Sequence, residues 1–181
     1  MMKLKLTLLS VFLSSSCFAD KLALGGGYYS ISASVGERET SLASAGVLSF
    51  RYSKTFMSLF SLNVDYSVLS ESLFSGDKSY GPQISLSYFH YGAETANNIV
   101  TDGFSLSSLK KLNPYGIVGF SQREYQSIES SYSGFFLGGG VEMGFKNNFG
   151  FYTELKYSML GGPNSGEVNE TLLGVGGFLN F

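Results

Sequence analysis

The sequence predicts an all-β protein, an eight-stranded antiparallel up-and-down barrel that spans a membrane, and three observations support this prediction. From residue 20 onward, large apolar residues recur at every second position, which is the period of a strand whose two faces differ. Only 14% of the 181 residues are charged, whereas a typical soluble domain has roughly 25%. After residue 20, no apolar run approaches the roughly 18 residues of a membrane-spanning helix. A chain that enters a membrane without such a helix is expected to cross it with strands of a closed sheet.

The first nineteen residues are expected to be a cleaved signal peptide. Two early lysines precede the apolar run 6–13, and Cys17-Phe18-Ala19 fits the small-residue rule of signal peptidase. A lipidated cysteine is the alternative, but Ser14 stands where the lipoprotein motif requires leucine. Cleavage would leave residues 20–181 as one domain without cysteine, and therefore without a disulfide or a thiolate metal site.

Eight strands follow from the alternating pattern. Each is about long enough to cross the hydrocarbon at a tilt, which takes roughly 9–11 residues. The predicted strands are 21–34, 43–53, 56–69, 80–91, 114–127, 133–146, 149–160 and 168–181. The last strand is expected to pair with the first, because an open sheet edge in hydrocarbon leaves backbone groups without hydrogen bonds.

The connections between these strands alternate in character. Ser53-Lys54-Thr55 and Asn147-Asn148 are predicted tight turns, the second because asparagine tolerates a left-handed backbone. Four longer polar loops are expected around 37–40, 70–79, 127–131 and 161–167. Residues 92–113 form a longer connection on the side of the tight turns. That segment is either a partly ordered loop or includes a short amphipathic helix over 105–112, where leucines recur at every third position.

The less apolar face of the strands decides which face points outward. A soluble barrel has apolar side chains inside and a charged surface, and an outer-membrane barrel reverses this arrangement. Here the less apolar face consists of glycine and serine with a few charges of both signs, which a narrow interior can hold if the charges are paired. The apolar face is therefore expected to contact lipid. The predicted charge network of the lumen consists of Arg51, Asp65, Glu142, Glu154 and Lys156.

Aromatic residues are expected in two girdles at the membrane interfaces, because a tyrosine ring is apolar and its hydroxyl reaches water. The girdle near the long loops would contain Tyr28, Tyr29, Tyr66, Tyr80, Tyr125 and Tyr132. The girdle near the tight turns would contain Tyr52, Phe56, Tyr91, Tyr115, Phe145, Phe149 and Phe181.

Several segments resemble the bacterial outer-membrane β-barrel superfamily that includes the OmpA transmembrane domain and OmpX. The resemblance rests on Asn113–Phe120, Gly138–Glu142, Phe151–Tyr157 and the final strand Gly174–Phe181. The final strand is similar to the terminal signal read by the barrel-assembly machinery, although glycine replaces the usual polar residue at its start. The residues that match this signal are Gly176, Leu179 and Phe181.

The resemblance implies a location and a set of partners. It places the protein in the bacterial outer membrane, surrounded by lipid and lipopolysaccharide, with both termini and the tight turns in the periplasm. The barrel-assembly machinery and periplasmic chaperones would act during its biogenesis, and the barrel is expected to be a monomer.

No enzymatic centre, metal or cofactor is expected. Enzymes of this superfamily carry a histidine on the outer side, but the one histidine of this chain, His90, falls at the opposite end of its strand. With one histidine and no cysteine after cleavage, zinc ligation would depend on carboxylates alone. Removing two lysines with the signal peptide leaves 10 basic and 14 acidic residues, a net charge of 10 − 14 = −4, which argues against nucleic-acid binding.

Two functional hypotheses remain open from the sequence. The first is a structural or surface-interaction barrel, non-catalytic, whose lumen is filled by small and paired charged residues. The alternative is a narrow porin-like channel for small solutes, suggested by the many glycine and serine positions on the inner face.

Overall fold

The computed structural model describes residues 20–35, 38–70, 78–93, 112–126, 129–145, 148–163 and 166–181. Its strands are β1 (Asp20–Val35), β2 (Arg38–Met57), β3 (Phe60–Ser70), β4 (Lys78–Phe89), β5 (Leu112–Tyr125), β6 (Ser130–Gly144), β7 (Phe149–Gly161) and β8 (Glu167–Asn180). Each strand pairs antiparallel with its neighbours in sequence, and β8 pairs with β1 to close the barrel. The predicted fold class and the pairing of the first strand with the last are confirmed.

The barrel has two distinguishable ends. We call the end that carries Asp20, Phe181 and the turn at Ser58–Leu59 the turn end, and the opposite end, where β1 joins β2 and β7 joins β8, the loop end. No helix in the described part of the chain is long and apolar enough to cross a membrane.

The strands are staggered around the barrel. Directly opposed residues of neighbouring strands can be followed once around the barrel. This path starts on β1 at Ala23 and returns to β1 at Ala33, which is a stagger of 33 − 23 = 10 residues. On the way it passes Arg51, Asp65, Gln83, Ser121, Gly134, Leu160 and Val168. Such a stagger tilts the strands against the barrel axis. Residues that share a level in the interior therefore come from different positions along their strands.

The two faces of the wall alternate as the sequence predicts. Exposed and buried residues alternate over all 12 residues of β4 and all 13 residues of β7. Large apolar side chains lie on the outer face, where we call them the apolar belt. Its members include Leu22, Leu24, Leu48, Phe50, Val64, Ile84, Leu86, Val118, Phe120, Phe135, Leu137, Leu155, Leu173 and Val175.

Two predicted connections are wrong. Ser53, Lys54 and Thr55 lie inside β2 and are buried, and the turn that follows is at Ser58–Leu59. Ser53 and Thr55 lie opposite the inward residues Asn63 and Ser61, so their polarity reflects the lumen and not a turn. The first loop is also shorter than expected, because Val35 and Arg38 are already opposed in the sheet.

Asn148 confirms its predicted left-handed backbone, with a φ of 61°. Residues 146–147 and 94–111, including most of the segment for which a helix or a loop was left open, lie outside the described residues. The predicted signal peptide, residues 1–19, lies outside them as well.

Candidate functional site in the barrel interior

Four of the five charged residues predicted for the lumen form one network. Arg51 on β2 lies opposite Asp65 on β3, and its Nε donates to Asp65 Oδ1 at 2.5 Å. The other two guanidinium nitrogens reach across the barrel to both oxygens of Glu154 on β7, each at 2.9 Å. Lys156 Nζ lies 3.0 Å from Glu154 Oε1. All four side chains are buried.

Neutral groups complete this arrangement, which we call the central network. The Tyr115 hydroxyl donates to Glu154 Oε2 at 2.8 Å, and Lys156 Nζ donates to Gln83 Oε1 at 3.2 Å. Gln83 in turn donates to Ser121 at 3.2 Å. The two cations and two anions balance in formal charge, which is the condition under which buried charges are tolerated.

Glu142, the fifth predicted residue, lies apart from the central network. It accepts a hydrogen bond from Lys21 at 2.6 Å, nearer the turn end. Lys21 Nζ also lies 4.5 Å from the ring centroid of Phe178 and 5.1 Å from that of Phe89. The aromatic faces supply part of the electrostatic environment of this ammonium group.

A second buried ion pair was missed by the sequence analysis. Arg123 on β5 is 0% exposed, and its Nε lies 3.3 Å from Glu170 Oε2 on β8. Its Nη1 donates to Ser67 at 2.5 Å, and the Tyr125 hydroxyl donates to Glu170 Oε1 at 2.7 Å. The alternation of the strands could have predicted that Arg123 and Glu170 lie in the lumen, because both residues occupy inward positions of predicted strands.

Hydroxyl and amide groups line the interior on the side of β2, β3 and β4. Asn63 donates to Ser85 at 3.1 Å and to Ser87 at 2.8 Å, and the hydroxyls of Thr55 and Ser61 lie 3.0 Å apart. These short side chains leave room for the longer cross-barrel side chains of the opposite wall.

Towards the loop end, the interior becomes apolar. Buried side chains pack together there, and we call this group the loop-end cluster. It consists of Tyr29, Ile31, Val47, Leu69, Tyr132, Leu160, Val168 and Leu172, with Ala33 and Tyr125 partly buried against it. The rings of Tyr125 and Tyr132 meet edge to face at 5.4 Å between centroids.

The loop-end cluster corrects the predicted girdles. Tyr29 and Tyr132 were expected on the lipid side, and both are buried inside the barrel. Tyr115, expected in the girdle near the tight turns, is also buried inside, where it contacts Glu154. In each case, the residue lies on the inward side of its alternating strand. Predicted girdle residues that are exposed are Tyr28, Tyr66, Tyr80, Phe56, Tyr91, Phe145, Phe149 and Phe181.

At the loop end, where the interior is apolar, the outer face of the barrel becomes polar. Beyond Tyr28, the outward residues of β1 are Ser30, Ser32 and Ser34. They lie opposite Thr171, Asn169 and Glu167 of β8. On β5 and β6, outward Gln122 donates to Ser131 at 3.3 Å. We call this part of the barrel, polar outside and apolar inside, the collar.

The predicted assembly-signal residues occupy both faces of β8. Leu179 and Phe181 are exposed on the outer face, whereas Gly176 lies inward beside the ring of Tyr152. A side chain at Gly176 would overlap that ring, so the glycine permits Tyr152 to lie flat against β8.

The one histidine of the chain lies on the surface. His90 is exposed at the turn end, with its ring 4.6 Å from that of Tyr91. Among the residues that the structure describes, no group of three or more histidine, cysteine, aspartate or glutamate side chains could hold a metal ion. The buried carboxylates each contact an arginine or lysine side chain, which stabilises their buried charge.

Comparison with known proteins shows the fold. No family model matches the sequence, and the search of curated proteins finds no match. Among solved structures, the chain is similar to neisserial surface protein A, with a TM-score of 0.61 and 16% identity over 90% of this chain and 99% of that one. It is also similar to the N-terminal β-barrel domain of Pseudomonas aeruginosa OprF, with a TM-score of 0.54 and 14% identity over 90% of this chain and 97% of that one. The chain therefore has the fold of the eight-stranded outer-membrane β-barrels.

Proposed function

We propose that this chain is an integral protein of the bacterial outer membrane with a structural or surface-interaction role and without catalytic activity. In this proposal, the apolar belt contacts lipid, the turn end faces the periplasm and the loop end faces the outside. Lipid and lipopolysaccharide surround the barrel, which acts as a monomer. A cleaved signal peptide and the barrel-assembly machinery bring it to the membrane.

The apolar belt is the observation that carries the proposal. Leu24 is 64% exposed, Leu48 65% and Phe135 68%, and similar residues surround the barrel. A contiguous apolar surface of this extent is rare on a soluble monomer and is typical of the lipid-facing wall of a membrane barrel. The closed sheet supports the same conclusion, since it leaves no strand edge in the hydrocarbon.

The interior supports a filled barrel over a channel. The ion pairs Lys21–Glu142, Arg51–Glu154 and Arg123–Glu170 each join strands that are not neighbours, so these side chains cross the lumen. Eight buried apolar side chains occupy the loop end. A role that depends on a rigid scaffold and on its surface fits this interior better than solute transport does.

Three measurements test the proposal. Fractionated cells should contain the protein with the outer membrane, and the folded barrel should migrate faster than the boiled one on a cold denaturing gel. Protease added to intact cells should cut within residues 71–77 and leave the barrel intact, because those residues connect β3 to β4 at the loop end. A detergent-free soluble monomer would contradict the proposal, and cleavage only after the outer membrane is opened would reverse the orientation.

A further inference from the structure

We infer that the loop-end cluster, and not the central network, is the barrier that closes this barrel to water and small solutes. The inference rests on the proposed function, because it takes the chain to be a membrane barrel with a filled interior. It adds where the barrier lies and what chemistry forms it.

The loop-end cluster joins opposite walls of the interior. Its buried members come from β1, β2, β3, β6, β7 and β8, and Tyr125 of β5 packs against it. Leu69 and Leu160 are 0% and 2% exposed. Apolar side chains from opposite walls therefore meet near the barrel axis.

The cluster is also packed on its outer side, next to Gly162. The ring of Tyr132 lies directly beside Gly162, where a side chain would overlap it. Gly162 N donates to Gly166 O at 2.8 Å and Gly166 N donates to Pro163 O at 3.1 Å, and both glycines lie next to the ring. The outer limit of the cluster is thus an aromatic ring packed against backbone.

The chemistry of the two levels differs in how each can exclude water. An apolar constriction offers no group to replace the hydrogen bonds that water would lose, and it therefore stays dry. The central network presents a guanidinium, an ammonium group, carboxylates, an amide and hydroxyls. A water molecule can bridge two of these groups after a small rearrangement. Polar contacts of this kind stabilise the barrel, but they are a poorer barrier to water than a packed apolar layer.

The Arg123–Glu170 pair supports the cluster from within. Tyr125 contacts both the ion pair and the cluster, since its ring meets that of Tyr132 and its hydroxyl donates to Glu170. The ion pair therefore orients an aromatic residue that packs against the cluster.

Single-channel conductance in planar bilayers tests the inference with two matched double variants. Leu69→Ser/Leu160→Ser makes the cluster polar, and Arg51→Met/Glu154→Gln removes one charge of each sign from the central network with only a small change in side-chain volume. We expect steady unitary openings from the first variant and none from the second or from the unaltered chain. The cold-gel shift confirms that each barrel is folded before it is recorded.

Each outcome decides a separate question. Steady openings of the unaltered chain would contradict the proposed filled barrel. If the unaltered chain is silent, openings of the central variant, or silence of the cluster variant, would overturn the inference and leave the proposed function standing.

A milder experiment covers the case in which the cluster double variant does not fold. A cysteine placed by Ser121→Cys in a Cys17→Ser background lies at a buried position of the central network. Leu160→Ala should accelerate its reaction with a charged, membrane-impermeant thiol reagent added on the loop side by about tenfold or more, because the apolar layer above it is opened. Glu154→Gln should leave the rate unchanged. Equal rates in all three proteins would overturn the inference.

Discussion

Along β1, the two faces of the barrel wall exchange their character. In the apolar belt, Leu22 and Leu24 point outward, and the inward Lys21 is paired with Glu142. In the collar, Ser30 and Ser32 point outward, and Tyr29 and Ile31 are buried inside. The strand continues without interruption through both parts.

We attribute the difference to the surroundings of each part. In the proposed membrane setting, lipid contacts the apolar face of the belt, and the polar face has to satisfy its own hydrogen bonds inside the barrel. The collar is expected to stand in water, where burying apolar side chains in the interior is favourable, as in a soluble barrel. One barrel thus has the arrangement of a membrane barrel in its belt and that of a soluble barrel in its collar.

The largest expected effect on stability comes from breaking the buried Arg123–Glu170 ion pair, which lies between the belt and the collar. Arg123→Ala would leave Glu170 buried and without its arginine, which should reduce the free energy of unfolding by about 3–5 kcal/mol. Urea titration in lipid vesicles, followed by the cold-gel shift, measures this loss. Arg123→Met combined with Glu170→Leu should recover most of it, because no unpaired charge remains. A single variant as stable as the unaltered chain would contradict the role of the pair.

The next effect compares the same side chain on the two sides of the wall. Leu160→Ala removes a buried member of the loop-end cluster and should cost about 2–5 kcal/mol of unfolding free energy. Leu155→Ala, on the outer face of the same strand, should cost less, since lipid fills the space that the side chain leaves. The same titration measures both variants. Equal losses would mean that the collar interior is not a packed core.

A charge placed on the outer face separates the belt from the collar. Val118→Arg in the belt should destabilise the barrel by about 2–4 kcal/mol, whereas Ser32→Arg in the collar should cost about 0–1 kcal/mol. The reason is that only the first arginine is surrounded by hydrocarbon. Refolding yield into vesicles, together with urea titration, reports the difference. A large penalty at Ser32 would place that part of β1 inside the membrane.

The smallest of these effects concerns the central network. Glu154→Gln retains the shape of the side chain but removes the anion that both Arg51 and Lys156 contact. We expect a loss of about 1.5–3 kcal/mol in unfolding free energy, the range for a hydrogen bond to a charged group. Ser158→Ala, a neighbouring inward position on β7, is the matched control with little expected change. No difference between the two variants would mean that the network adds nothing to stability.

Much of the architecture followed from local patterns. The number of strands, their antiparallel order and the apolar outer face could be predicted because side chains of a strand alternate strictly between two faces. The same alternation assigns Tyr28 to the outside and Tyr29 to the inside, although both were predicted for one girdle. The sequence analysis assigned both tyrosines to an interface from residue type alone, whereas the position within the strand decides which face each one occupies.

The turn end shows a second limit of prediction from local sequence. Ser53-Lys54-Thr55 has the composition of a turn, yet it continues β2, and Ser53 and Thr55 face the interior. Polar residues mark a turn only where water is the solvent, and in this barrel they also mark the lumen.

The sequence by itself determined that this chain forms eight amphipathic strands, because alternation depends on neighbours within one strand, and its scarcity of charge indicated that the apolar face of the belt points outward. Only the tertiary structure decided which charges meet across the lumen. Glu142 pairs with Lys21, Arg51 reaches Glu154 and Arg123 reaches Glu170, because a stagger of 33 − 23 = 10 residues tilts the strands and brings distant positions to one level. The collar likewise exists only in the closed barrel, since an apolar inner face becomes a core when strands from all sides enclose it.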